Sequence, residues 1–244
     1  MYDLGIIGGM GSEATAEIFR RIVALTNASF DQEHMKICVL NKSQIPDRTD
    51  YLLNNGQNPL PLIIEGINEL KSLNTRFFII PCNTSHVFSD VLGDQEDIVF
   101  IDMVKTTKTY LRKQCREEKI CILGTTGTIS ADVYNDEYSA DRICMVYPNH
   151  LLQLKVMDII LSVKANNRTM MENRKRIIAI MKKIVEESGY CTFVVACTEL
   201  SVIMADLKMD GFKIIDAMEL LAIIAILEYG YIVNVKNQVS VFHQ

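Results

Sequence analysis

Two hexapeptides, PCNTSH at residues 81–86 and ACTELS at 196–201, each place a cysteine directly after a β-branched apolar run and follow it with polar side chains. A cysteine inside an apolar run is usually a small buried hydrophobe. That reading fits Cys38, Cys121 and Cys144, which sit within strand-like stretches. It fits Cys82 and Cys197 poorly, because Asn83, Thr84, Ser85, Thr198 and Glu199 would have to be buried with them at a cost. A thiol has a reference pKa of about 8.5, which helix ends and neighbouring charges move. Two such groups on opposite sides of one carbon, one thiolate and one thiol, can take a proton from one face and return one to the other. Arg48 and Lys164 could hold two carboxylates beside them, arginine being suited to a bidentate grip. Taken singly, either cation also reads as a solvated surface charge.

These residues recur in register. Gly8 and Gly124 are 116 residues apart (124 − 8), Arg48 and Lys164 likewise (164 − 48), and Cys82 and Cys197 are 115 apart (197 − 82). In each half a strand opens onto a small-residue turn, GGMG or GTTG, and a later β-branched strand ends in a cysteine. Short runs at 4–7, 35–40, 77–80, 98–101, 120–123, 144–147, 193–196 and 213–215 read as strands, with helical stretches between most of them. The alternation predicts an α/β fold with mostly parallel sheets covered on both faces, in two similar halves with the site between them. The first half is expected to span 1–102 with 213–244, the C-terminal helix returning to it after KIID, and the second half 103–212. Ligands bind beyond the carboxyl ends of parallel strands, where both cysteines and both turns fall. Backbone N–H groups at such turns suit a carboxylate or phosphate. GGMGSEA departs from the dinucleotide and phosphate-loop patterns, so no nucleotide site is expected.

The bulk properties exclude several classes of partner. With a net charge of −5 and no basic stripe, neither nucleic acid nor an anionic membrane surface is an expected partner. LLAIIAIL at 220–227 is too short to span a bilayer and reads as a buried helix, and no signal segment is read at the N-terminus, which gives a cytoplasmic expectation. Seven cysteines without a C-x-x-C and four scattered histidines argue for free thiols and no metal site.

The stretches LGIIGGMGSEAT, PDRTDYLL, PCNTSH, LGTTGT, MDIILSVKAN and ACTELSVI, spread over residues 4–203, resemble the aspartate/glutamate racemase superfamily, most nearly its aspartate racemase branch. The resemblance implies two pseudo-symmetric flavodoxin-like halves, a homodimer, no cofactor, and racemisation of aspartate, with glutamate as a further substrate. It implies Cys82 and Cys197 as the acid/base thiols. It also implies that Met10, Gly11, Asn83, Thr84, Thr125 and Thr198 bind the α-carboxylate and amine, with Arg48 and Lys164 on the side-chain carboxylate. Ser85 and Glu199 complete the expected substrate shell, and Glu199 could also orient the Cys197 thiol. His86, one helical turn after Cys82, either tunes that thiol or packs its helix. Two positions depart from the pattern: Ala196 stands where glycine is common, and Ser201 where proline is common. Three alternatives stay open: maleate cis–trans isomerisation through a cysteine nucleophile, a non-catalytic amino-acid-binding protein, and a thiol redox sensor.

Overall fold

The protein is described by a computed structural model covering all residues except 116–118, 136–142, 191, 206, 208–210 and 235–244. Its strands form two parallel sheets. In the first, β1 (Tyr2–Gly8), β2 (Ile37–Asn41), β3 (Thr75–Ile79) and β4 (Val99–Phe100) lie in the order β2-β1-β3-β4. In the second, β5 (Lys119–Gly124), β6 (Cys144–Val146), β7 (Thr192–Ala196) and β8 (Lys213–Asp216) repeat it as β6-β5-β7-β8. The sequence repeat is therefore a repeat of topology: β1 and β5 hold equivalent central places, as do β3 and β7. All eight runs singled out in the sequence are strands, and β5 and β7 are apolar after their first residues, Lys119 and Thr192, because helices cover both faces.

The first sheet packs one face against α1 (Ser12–Leu25) and α10 (Ala217–Glu228), where Leu4 and Ile6 meet Ile18, Ile22, Leu221 and Ile226. Its other face carries Ile7 and Phe78 against Ile63 and Ile67 of α3 (Leu60–Ser72). The second sheet is covered by α7 (His150–Lys164) and α8 (Met170–Ser188) on one side. On the other, α5 (Met103–Gln114) contributes Leu111 and α10 contributes Leu220. Helix α10 thus supplies both cores, which explains why it is apolar on nearly every side. Each of its buried Leu or Ile side chains contributes about 1.5–3 kcal/mol.

Two expectations need correction. The strand Lys213–Asp216 pairs with β7 and belongs to the second sheet, so the return to the first half begins at α10 and not at residue 213. A strand of one sheet and a helix of the other's core join with no intervening loop, which no change of composition marks. Cys144, expected as a buried thiol, is exposed, because β6 is the edge strand of its sheet. Cys121 is buried as expected and Cys38 is half-buried.

The turn after β1 is fixed by backbone geometry. Gly9 has φ +87, and a Cβ there would lie 2.3 Å from the backbone carbon of Lys42. Its N–H is held by the Thr15 hydroxyl at 3.0 Å, and that hydroxyl donates to the Gly11 carbonyl at 2.9 Å. Gly9→Ala meets both a left-handed backbone and a wall of main chain. It is expected to lower unfolding free energy by about 2–3 kcal/mol or more, measured as a fall in the urea midpoint at constant m.

Candidate active site

The carboxyl ends of the two sheets face one another. Cys82 ends the segment after β3 and opens a 3-10 turn, Asn83–Phe88; Cys197 follows β7 and opens α9 (Thr198–Met204). Both sulfurs border one small cavity lined also by Met10, Arg48, Asn83, Thr84, Thr125, Lys164, Thr198 and Glu199. Of the expected residues, then, all but Gly11 and Ser85 line it. The Gly11 backbone lies just behind: a Cβ there would stand 2.6 Å from Glu199 Oε1, so the first half can approach that carboxylate only without a side chain at this position. Ser85 is turned away, its hydroxyl donating to the Cys82 carbonyl at 2.7 Å, because the 3-10 turn folds it back under the chain. The free space amounts to about 10 Å³, room for roughly one water.

Arg48 and Lys164 both reach the cavity, but by unlike routes. Arg48 opens α2 (Arg48–Asn54), whereas Lys164 closes α7, so their matched spacing in sequence does not reflect matched places in the fold. Arg48 is buried, with Nη1 donating to the Ile45 and Pro46 carbonyls at 3.4 and 2.9 Å and Nη2 to Met10 at 2.9 Å. Of five guanidinium donors, these bonds leave Nε–H and one Nη2–H, and Nε is buried with no oxygen or nitrogen partner. Burial alone would lower its pKa, but the nearby Cys82 sulfur, Asp47 and Glu199 outweigh that and hold it above the usual value. Lys164 stays charged for a similar reason: burial opposes, while Glu199, Cys197 and Asp47 prevail over repulsion by Arg48.

The two thiols have opposite electrical neighbours. Cys82 faces the Arg48 guanidinium. Cys197 donates its S–H to Glu199 Oε2 at 3.1 Å, and burial followed by this carboxylate pushes its pKa well above the ordinary range. Thr198 also donates to Oε2, at 3.4 Å, while Oε1 is buried without a partner. Asn83 accepts from the Tyr134 hydroxyl at 2.5 Å through Oδ1, leaving its buried Nδ2 likewise unpartnered. Thr84 Oγ1 sits 2.9 Å from both Thr125 Oγ1 and Thr128 Oγ1, a ring of hydroxyls joining the halves.

Sequence reasoning passed over Asp47, Thr128 and Tyr134. Asp47 caps α2 through Oδ1 and reaches Lys164 across the cleft at 3.5 Å through Oδ2. Its place beside Arg48 in PDRTD was the available signal. Burial raises its pKa, but the Asp50 and Thr49 N–H groups with Lys164 and Arg48 bring it net below the usual carboxylate value.

A family model described as Asp/Glu/Hydantoin racemase matches residues 7–225, both cysteine motifs included. The chain belongs to that family. The aspartate racemase of Picrophilus torridus has the same fold at TM-score 0.83, with 28% identity over 95% of this chain and 96% of that one. An aspartate racemase homologue from Pyrococcus horikoshii OT3 superposes at TM-score 0.72 and 19% identity, covering 94% and 99% of the two chains. Among curated proteins, the broad specificity amino-acid racemase RacX of Bacillus subtilis (strain 168) is 23% identical over 90% of this chain and 94% of its own length. In this racemase chain the two flavodoxin-like halves bury the site between their sheets. No helix among the described residues is long and apolar enough to cross a membrane.

His86 contacts the Cys82 backbone and not its sulfur. The Met103 N–H donates to Nε2 at 3.1 Å, so Nδ1 carries the proton and donates to the Cys82 carbonyl at 2.9 Å. Burial keeps its pKa below 6.5. Below that pH the unfolded chain therefore takes up a proton that folded His86 refuses. The stability due to the neutral ring is whole above pH 6.5 and is lost as pH falls through the folded pKa. Urea melts between pH 7 and 5 should lose up to about 1.4 kcal/mol per pH unit, with a flatter profile in His86→Gln.

Proposed function

We propose that the protein is a cofactor-independent racemase of aspartate or a similar diacid, acting by proton transfer at Cα between Cys82 and Cys197. The observation that carries this reading is the set of unpartnered polar atoms around the cavity. Arg48 Nε and Asn83 Nδ2 are donors without acceptors, and Glu199 Oε1 is an acceptor without a donor. Leaving such groups buried and unpaired is costly unless a ligand completes them. An amino-acid zwitterion does so: its α-carboxylate takes the two donors and its ammonium meets Glu199, which moves Arg48 from the side-chain carboxylate, its expected partner, to the α-carboxylate.

The reaction balances without a cofactor. One sulfur, as thiolate, takes the Cα proton, and the electron pair passes into the α-carboxylate, where Arg48 and Asn83 meet the growing charge. The other thiol then gives its proton to the opposite face and becomes the thiolate. The unlike surroundings of the two sulfurs suit this, since the pair needs one proton between them: Glu199 favours keeping it on Cys197, and Arg48 offers Cys82 a cation. Lys164, bridged to Asp47 across the cleft, is the group a second carboxylate would engage. The homodimer and the division into halves meeting near residue 102 belong to the same reading. Support for aspartate comes from Lys164, a second cation beyond the one on the α-carboxylate, and from the likeness to the Picrophilus enzyme; the relative RacX is named for broad specificity.

Proton NMR of L-aspartate with reduced protein in D₂O tests the reaction: loss of the α-proton signal with appearance of the D form is expected. No exchange from aspartate, glutamate or alanine by protein with free thiols would overturn it. Cys82→Ser and Cys197→Ser should each lower turnover by about 10²–10⁴-fold. Lys164→Met should raise KM for aspartate by roughly 10–100-fold, the loss of one charge-assisted bond, and leave any turnover of alanine nearly unchanged.

A further inference from the structure

Beyond the cavity, a polar cluster centred on one buried arginine ties the helix that follows the glycine turn to the helix that follows Cys197. Arg21, on α1 of the first half, is 6% exposed. It reaches Asp216 Oδ2 with Nη1 at 2.7 Å, the Ser201 carbonyl with Nη2 at 2.8 Å, and Glu17 with Nε at 2.7 Å. Ser201, one turn into α9, donates its hydroxyl to Asp216 Oδ1 at 2.6 Å, and that oxygen also caps α10 through the Met218 N–H at 2.9 Å. The Ser201 N–H is bonded to the Cys197 carbonyl at 3.1 Å, and its hydroxyl lies 3.4 Å from the same oxygen. An unbroken series of polar contacts therefore runs from a first-half helix to the main chain of Cys197, and Cys197 is its sole member among the residues lining the cavity.

The arrangement has more charge than packing requires. Four charged side chains gather where α1, α9 and the β8–α10 junction meet: Glu17 and Asp216 flank Arg21, and the exposed Arg20 also holds Glu17, at 2.7 and 2.9 Å. Burying the Arg21 guanidinium between two half-buried acids carries a desolvation cost, and a hydrophobic contact would join two helices at less cost. What a guanidinium adds is fixed geometry, since its planar donors set distance and angle to three partners at once. Both helices run away from the cleft: α1 starts one residue after Gly11, and α9 starts at Thr198. Fixing the spacing of α1 and α9 at Arg21 fixes how closely Gly11 approaches Glu199, and so where Glu199 holds the Cys197 sulfur.

We infer that Arg21, with Ser201 and Asp216, is a positioning device that sets the place of the Cys197 thiol from across the interface between the halves. The inference deepens the two-thiol reading and rests on it for the kinetic consequence. A misplaced Cys197 impairs proton transfer on one face of Cα only, leaving Cys82 as it was. A loss of fold impairs both.

Arg21→Lys and Ser201→Ala in the full chain test this. Iodoacetamide labelling of Cys197, followed by peptide mass spectrometry, reads its accessibility, with buried Cys121 as the control thiol outside the site. The expected result is several-fold faster labelling of Cys197 with Cys121 unchanged. Alongside it, the primary isotope effect for Cα-deuterated substrate should rise in one direction of racemisation only. Equal acceleration at both thiols, or isotope effects that change alike in both directions, overturns the inference and leaves a merely structural cluster. If the unsubstituted protein neither racemises nor exchanges an α-proton, the proposed activity fails by itself, and the ratio of Cys197 to Cys121 labelling still decides the positioning role.

Discussion

A carboxylate buried beside a thiol is the constraint around which this interface is built. Glu199 is 4% exposed, accepts from Cys197 and Thr198 on one oxygen and from nothing on the other. Isolated, such a charge would be prohibitive to bury. It is tolerated because Arg48 and Lys164 come to the same cavity from opposite halves and because Gly11 presents no side chain. Each compensating group makes a demand of its own. Arg48 needs three backbone carbonyls to hold it, one of them from Met10 in the glycine turn. Lys164 must arrive at the last residue of a fifteen-residue helix and be steadied by Asp47. The turn after β1, the start of α2 and the end of α7 are thus parts of one electrostatic solution.

Much of this was legible in the sequence, and for definable reasons. The central strands, buried on both faces, leave nearly unbroken apolar runs, and the edge strands keep short β-branched or apolar runs between helical stretches, so all eight were visible. Cys82 and Cys197 stood out because polar neighbours are costly at a strand end, and the near-constant spacing of landmarks disclosed two halves that prove to share one strand order. The aspartate/glutamate racemase resemblance rested on the same stretches that the family model covers.

What escaped was set by long-range contact. Asp47 reads as an ordinary helix cap, and only the approach of Lys164 from the other half gives it a second role. Arg21 looks like any charged residue on an amphipathic helix until Asp216, 195 positions later, is seen against it. The placement of β8 turned on which sheet offered an open edge, and the exposure of Cys144 on which strand lay outermost; neither is a property of the local residues. Ser85 shows the converse error. Asn83 and Thr84 before it line the cavity, yet the 3-10 turn carries the next side chain round to the far side, and its hydroxyl serves the Cys82 carbonyl. The equal spacing of Arg48 and Lys164 is a further lesson: the residues do meet, although a helix start and a helix end are not equivalent places.

The near-absence of free space at the centre has a consequence for chemical durability. With 6% and 3% exposure, the Cys82 and Cys197 side chains are screened from peroxides and from soluble disulfides in this closed form. Reagents of that kind are no smaller than the free space beside the two sulfurs. Oxidative wear on these two thiols is then set by access through the contact between the halves, and a molecule filling that space shelters both sulfurs at once.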